Sequence, residues 1–122
     1  MDKVRHYRDL IVWQKAMDLA VLVYQQTSSY PKEEIYGLTS QLRRASVSVP
    51  SNIAEGQARN TTGEFVQALG TAKGSLAEIE TQIILSERLK FIQTADSSKV
   101  LQDCSEISKL LHGLIKSLTN HS

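Results

Sequence analysis

The chain has one cysteine, two prolines, no excess of charge and no long apolar run in its 122 residues, and each shortage closes a class of protein. Cys104 alone cannot form an intrachain disulfide, which excludes a disulfide-stapled scaffold and fits a reducing compartment. No apolar stretch approaches the roughly 18 residues of a membrane span, and the N-terminus MDKVRHYRDL lacks the apolar run of a secretory signal. A soluble, cytoplasmic protein is the expectation. With 14 Lys plus Arg against 13 Asp plus Glu, the net charge of +1 makes no electrostatic case for nucleic acid from the total. Eight basic and six acidic residues lie in 1–60, against six and seven in 61–122, so any basic surface belongs to the first half.

Chemical machinery is equally scarce. There is no glycine-rich phosphate loop, and Gly70 and Gly74 fall inside a helical pattern where close helix packing is the expected use. The Glu-x-x-His pairs of a di-iron bundle are missing, since Thr81 follows Glu78, Ile83 follows Glu80 and Lys109 follows Glu106 at that spacing. His6, His112 and His121 are dispersed and form no ligand cluster, so a surface role is expected for each. Cys104 lies in an apolar helical pattern with no neighbouring histidine, which reads as a small buried hydrophobe rather than a nucleophile. No catalytic residue, metal or cofactor is assigned, and the chain reads as a non-enzyme.

What the chain does have is helical periodicity, with 41% hydrophobic and 22% charged residues in ordinary globular proportion. The first helix is expected from about Leu10 to Thr27 with Asp9 as N-cap. It carries two apolar stripes, Leu10, Trp13, Met17, Ala20, Tyr24 and Val12, Ala16, Leu19, Val23, more than one buried ridge requires. Such a helix either sits centrally or covers a second face against another subunit. Pro31 to Glu34 suggests a short helical turn. From Tyr36 a second helix shows Leu38, Leu42, Ala45, Val49 and Ile53 on one continuous face running through Pro50, and Gly56 is expected to loosen its end.

Thr61 with Glu64 three residues on forms a capping box for a third helix, whose apolar positions are Phe65, Leu69, Ala72, Leu76, Ile79 and Ile83. Thr94 is a plausible cap for a fourth, carrying Val100, Cys104, Ile107, Leu111, Leu114 and Leu118. No strand pattern competes. The expected fold is all-α, an antiparallel up-down-up-down four-helix bundle with its second helix kinked at Pro50. It would occupy residues 1–122 as one domain, with an N-terminal arm at 1–8 and a frayed tail at 119–122.

The densest polar stretch is GLTSQLRRASVSVPSNIAEG, residues 37–56. A proline inside a helix removes a hydrogen bond and clashes with the preceding turn, at about 3 kcal/mol, so Pro50 demands a packed setting. Arg43 and Arg44 suit phosphate oxygens, but neighbours on a helix point about 100° apart. One is expected to pair internally, with Glu55 or Glu78, while the other faces solvent or a subunit boundary. Asn52 and Glu55 share a face and would need partners if buried. Lys3, Arg5, His6 and Arg8, interleaved with Tyr7, form a basic arm able to follow a phosphate backbone or merely to solubilise.

Taken in order, YRDLIVWQKAMDLA, YPKEEIYGLTSQLRRASVSVPSNIAEG and GSLAEIETQIILSERLKFI resemble the family of 23S rRNA intervening-sequence proteins, over about Tyr7 to Leu118. The resemblance implies an antiparallel four-helix bundle assembling into a ring, a homopentamer. It extends to the accessory variability proteins of diversity-generating retroelements, barrel-shaped pentamers that bind nucleic acid and a partner reverse transcriptase. Those look markedly basic, whereas this chain is nearly neutral.

Two functional expectations follow. The first is a non-enzymatic, oligomeric scaffold touching RNA or a nucleic-acid-binding protein through Arg43, Arg44 and Arg59, supplemented by Lys3, Arg5 and Arg8. The second is a protein-only adaptor that binds no nucleic acid. In it Arg43, Asn52 and Glu55 form a buried network beside Pro50 that holds the helix and the subunit contact.

Overall fold

In a computed structural model that describes residues 6–120, four helices follow one another: α1 (Ile11–Thr27), α2 (Leu38–Ala58), α3 (Thr62–Arg88) and α4 (Thr94–Thr119). Each packs on its neighbour in sequence, α4 closes back onto α1, and α1 does not contact α3. That is the sequential, up-down arrangement short connections impose on antiparallel neighbours. No helix is long and apolar enough to cross a membrane among the described residues.

The core follows the periodicity. Val12, Ala16, Leu19 and Val23 of α1 meet Leu42, Val49 and Ile53 of α2, with Leu69, Leu76, Ile79 and Ile83 of α3 and Val100, Cys104, Ile107 and Leu111 of α4 closing the interior. Every expected apolar position of α2 is buried. Burial pushes the Cys104 thiol up to about 12, with Glu80 and Asp103 adding to the effect, so it is a neutral core group. Burial likewise raises the Tyr30 phenol, which packs near Phe91 at 5.7 Å and close to Ser86 without a well-formed hydrogen bond.

Several helix ends differ from expectation. Asp9 does not cap α1: it belongs to a 3-10 turn, Tyr7–Asp9, and Leu10 takes the cap position with no side-chain bond. His6 caps that turn instead, accepting from the Arg8 amide at 3.2 Å, and Tyr7 packs edge-on against Trp13 at 5.3 Å. Tyr7 and Arg8 therefore belong to the folded body rather than to an arm. The second 3-10 turn, Lys32–Glu34, ends where Glu34 Oε1 accepts from the Leu38 amide at 3.0 Å and supplies the cap that Gly37 lacks.

Thr61 and Glu64 form the expected capping box, with the Glu64 amide donating to Thr61 Oγ1 at 3.1 Å. Thr94 lies inside α4, with Gln93 at the cap position. Its hydroxyl donates to Glu87 Oε2 at 3.3 Å, and the neighbouring Ser97 hydroxyl donates to Glu87 Oε1, so a carboxylate from α3 serves the start of α4.

The glycines reverse two expectations. Gly56, expected to loosen the end of α2, is a packing position instead. It is buried inside the helix, and an added Cβ would stand 2.6 Å from Ala68 Cβ and 3.0 Å from Phe65 Cδ1. A side chain there would collide with α3, so this glycine sets how closely the two helices approach. Gly70 and Gly74, expected at a tight helix contact, face open space with nothing within 4 Å.

Candidate interaction site on the second helix

α2 continues through Pro50, which is buried. Proline has no N–H to give the carbonyl of Ser46, and the surrounding turn carries extra side-chain bonds. Ser46 Oγ donates to the Arg43 carbonyl at 2.8 Å, and Asn52 Nδ2 donates to the Ser48 carbonyl at 2.8 Å and to Ser48 Oγ at 2.9 Å. These bonds and the apolar packing of Val49 and Ile53 hold the segment that the proline weakens.

The adjacent arginines have separate roles. Arg43 turns toward α1: its Nε donates to Thr27 Oγ1 at 2.9 Å, an Nη donates to the Tyr24 carbonyl at 3.4 Å, and the guanidinium lies 4.7 Å from the centre of the Tyr24 ring. It closes the last turn of α1, serving a terminal carbonyl while stacking on an aromatic face. Arg44 is exposed and makes no hydrogen bond or ion pair among the described residues. Neither arginine pairs with Glu55 or Glu78, contrary to expectation.

The expected buried network of Arg43, Asn52 and Glu55 does not form. Arg43 binds α1, Asn52 stays within α2, and Glu55 is exposed in an ion pair with Arg59 at 3.5 Å. Arg59 also approaches Glu64 at 3.9 Å, so two carboxylates already neutralise it. The reason is helix geometry: Arg43 and Glu55 lie about 18 Å apart along the axis and about 120° apart around it. Of the remaining candidates, Arg8 is exposed near the Tyr7 ring at 5.8 Å, while Lys3 and Arg5 lie outside the described residues.

A polar seam between α2 and α3 was missed in the sequence. Gln82 Nε2 donates to Gln41 Oε1 at 3.3 Å, and Ser48 Oγ meets Ser75 Oγ at 2.8 Å. Above the serine pair lies an open groove of about 510 Å³ lined by Tyr36, Gln41, Arg44, Ser48, Glu78 and Gln82. Below it a second, of about 300 Å³, is lined by Asn52, Glu55, Arg59, Glu64, Gln67 and Thr71. The signal was present as two polar lines at spacings of three, four or, from Gln41 to Ser48, seven: Gln41-Ser48-Asn52-Glu55-Arg59 and Glu64-Gln67-Thr71-Ser75-Glu78-Gln82. The charged groups lining the two grooves are Arg44 and Arg59 against Glu55, Glu64 and Glu78, a balance of −1.

A different surface is apolar. On α1 the stripe Val12-Ala16-Leu19-Val23 is buried, and the second is divided: Leu10 and Trp13 pack partly buried against the core, whereas Met17 is 41% and Tyr24 44% exposed, with Val21, outside both stripes, 55% exposed between them. No group of three or more His, Cys, Asp or Glu side chains is placed to hold a metal ion among the described residues. The seam has hydrogen-bonding and charged groups, and α1 offers a face for packing.

The family pattern of the 23S rRNA-intervening sequence protein matches residues 8–113. Among solved structures, a protein of unknown function from the S23 ribosomal protein family of Bacteroides thetaiotaomicron is similar. Its TM-score is 0.78 at 25% identity, covering 87% of this chain and 99% of that one. No curated protein matches the chain.

Proposed function

Since the chain belongs to the 23S rRNA-intervening sequence protein family, we propose that it is a non-enzymatic helical scaffold that works by assembling with copies of itself. The observation that carries this reading is an exposed apolar ridge on α1. Met17, Val21 and Tyr24 remain exposed although the bundle core is complete without them. Apolar side chains grouped along one helix face are stabilised by removal from water, at roughly 25 cal/mol per Å² buried. The homopentamer implied by the family resemblance agrees with such a face. Light scattering tests the reading: a mass several times the 13.6 kDa of one chain at micromolar concentration supports it, and a stable single chain contradicts it.

Contact with RNA is a second reading, favoured by one observation, the free guanidinium of Arg44 above an open groove. The family name and the likeness to retroelement accessory variability proteins point the same way. Against it stand the −1 balance of the seam and the neutralised Arg59. RNA binding that weakens steeply with salt and drops on Arg44→Ala supports this contact. Binding unchanged by that substitution removes Arg44 from the site, and absence of binding leaves the protein-only adaptor.

A further inference from the structure

We infer that the groove between α2 and α3 above the serine pair binds a small zwitterion, a molecule with one carboxylate and one ammonium group, of the amino acid or dipeptide class. Two cross-helix pairs mark out the site. Gln82 Nε2 donates to Gln41 Oε1 and Ser48 Oγ meets Ser75 Oγ, and on each helix the two positions are seven residues, about 10.5 Å, apart. Between them α2 lines the groove with Ala45, which is buried and brings only a methyl group. The seam is left unfilled there.

The charges around that gap select the ligand. Arg44 lines it from α2 and Glu78 from α3, both exposed, and neither side chain has a hydrogen bond or ion pair among the described residues. A purely anionic ligand would meet Glu78 and a purely cationic one Arg44, so the groove works against both. A zwitterion answers each charge with its opposite. Its carboxylate accepts two parallel hydrogen bonds from the guanidinium fork of Arg44, and its ammonium donates to the Glu78 carboxylate.

Two further lining groups fit such a guest. Gln82 Oε1 is buried and has no hydrogen-bond partner among the described residues, an amide oxygen that a ligand N–H would satisfy. Tyr36, just ahead of α2, lines the same groove at 94% exposure, and an aromatic side chain on the ligand would cover it. The volume of about 510 Å³ suits a small molecule. In the lower groove, by contrast, Arg59 is already paired with Glu55 and lies near Glu64, so no free cation awaits a carboxylate there.

The test is calorimetric titration of the full-length protein with phenylalanine and with alanyl-phenylalanine, against phenethylamine and phenylpropionate, which keep the ring and lack one charge each. At least one zwitterion is expected to bind at millimolar concentration, and both single-charge compounds about tenfold more weakly or worse. The tighter of the two zwitterions tells a free amino acid from a peptide. Arg44→Gln and Glu78→Gln, each checked for helix content by circular dichroism, should each weaken binding about tenfold, while Lys99→Gln on the exposed face of α4 leaves it unchanged. Binding of neither zwitterion, equal binding of a single-charge compound, or affinity unchanged in either groove variant would overturn the inference. Assembly is read separately by light scattering, so an assembled protein that binds neither zwitterion keeps the proposed function and loses this site.

Discussion

The flank of α2 that faces α1 and the flank that faces α3 use different chemistry, although their residues alternate in sequence. Toward α1, Arg43 is fixed by two hydrogen bonds and by stacking on Tyr24. Toward α3, close approach at Gly56 and a serine pair join the helices, while Arg44 and the glutamines edge an open groove. One flank is a clamp and the other a tight crossing beside an accessible seam. The difference teaches that a polar motif on one helix is not one site: a step of about 100° per residue divides it between neighbours.

The largest expected effect breaks the α3 flank at its closest point. Gly56→Leu forces a side chain against Ala68 and Phe65 and should destabilise the protein by about 3 kcal/mol, measured by urea unfolding. Gly74→Ala, in open space, should instead stabilise it by up to about 1 kcal/mol through helix propensity. Equal effects at the two glycines would refute the assignment of the crossing to Gly56.

Next comes the clamp. Arg43→Ala removes the stacking on Tyr24 and the bond to Thr27, and a loss of about 1–2 kcal/mol is expected in the same assay. Ser75→Ala leaves Ser48 without its partner across the seam and should cost about 1 kcal/mol. The smallest change belongs to Arg44→Ala, within about 0.5 kcal/mol, because an exposed, unpaired side chain contributes little to folding.

Lys90 gives a check away from α2. It holds a left-handed φ of 63° just beyond α3, where the Phe91 amide donates to the Ser86 carbonyl at 2.9 Å and the Lys90 amide to Glu87 at 3.0 Å. Glycine is the residue suited to that position, so Lys90→Gly should raise stability by about 1 kcal/mol without changing either flank of α2.

The helices and their buried faces were legible because a period near 3.6 is written directly into Leu38, Leu42, Ala45, Val49 and Ile53 and their counterparts. Caps were less so. Asp9 and Thr94 are good capping residues by type, yet a 3-10 turn and a carboxylate from another helix took over the work near them. A glycine's role depends on what approaches it, which sequence does not state, hence the exchange between Gly56 and Gly70 or Gly74. The seam needed partners far along the chain, Gln82 for Gln41 and Ser75 for Ser48, and became visible only once α2 and α3 were side by side.

The most direct test of the divided motif is a pair of melting temperatures, for Arg43→Ala and Arg44→Ala, measured in one buffer. Arg43→Ala should melt about 4–8 °C below wild type and Arg44→Ala within about 2 °C of it. Equal losses, or a larger loss at Arg44, would contradict the division of α2 into a clamp and an open seam.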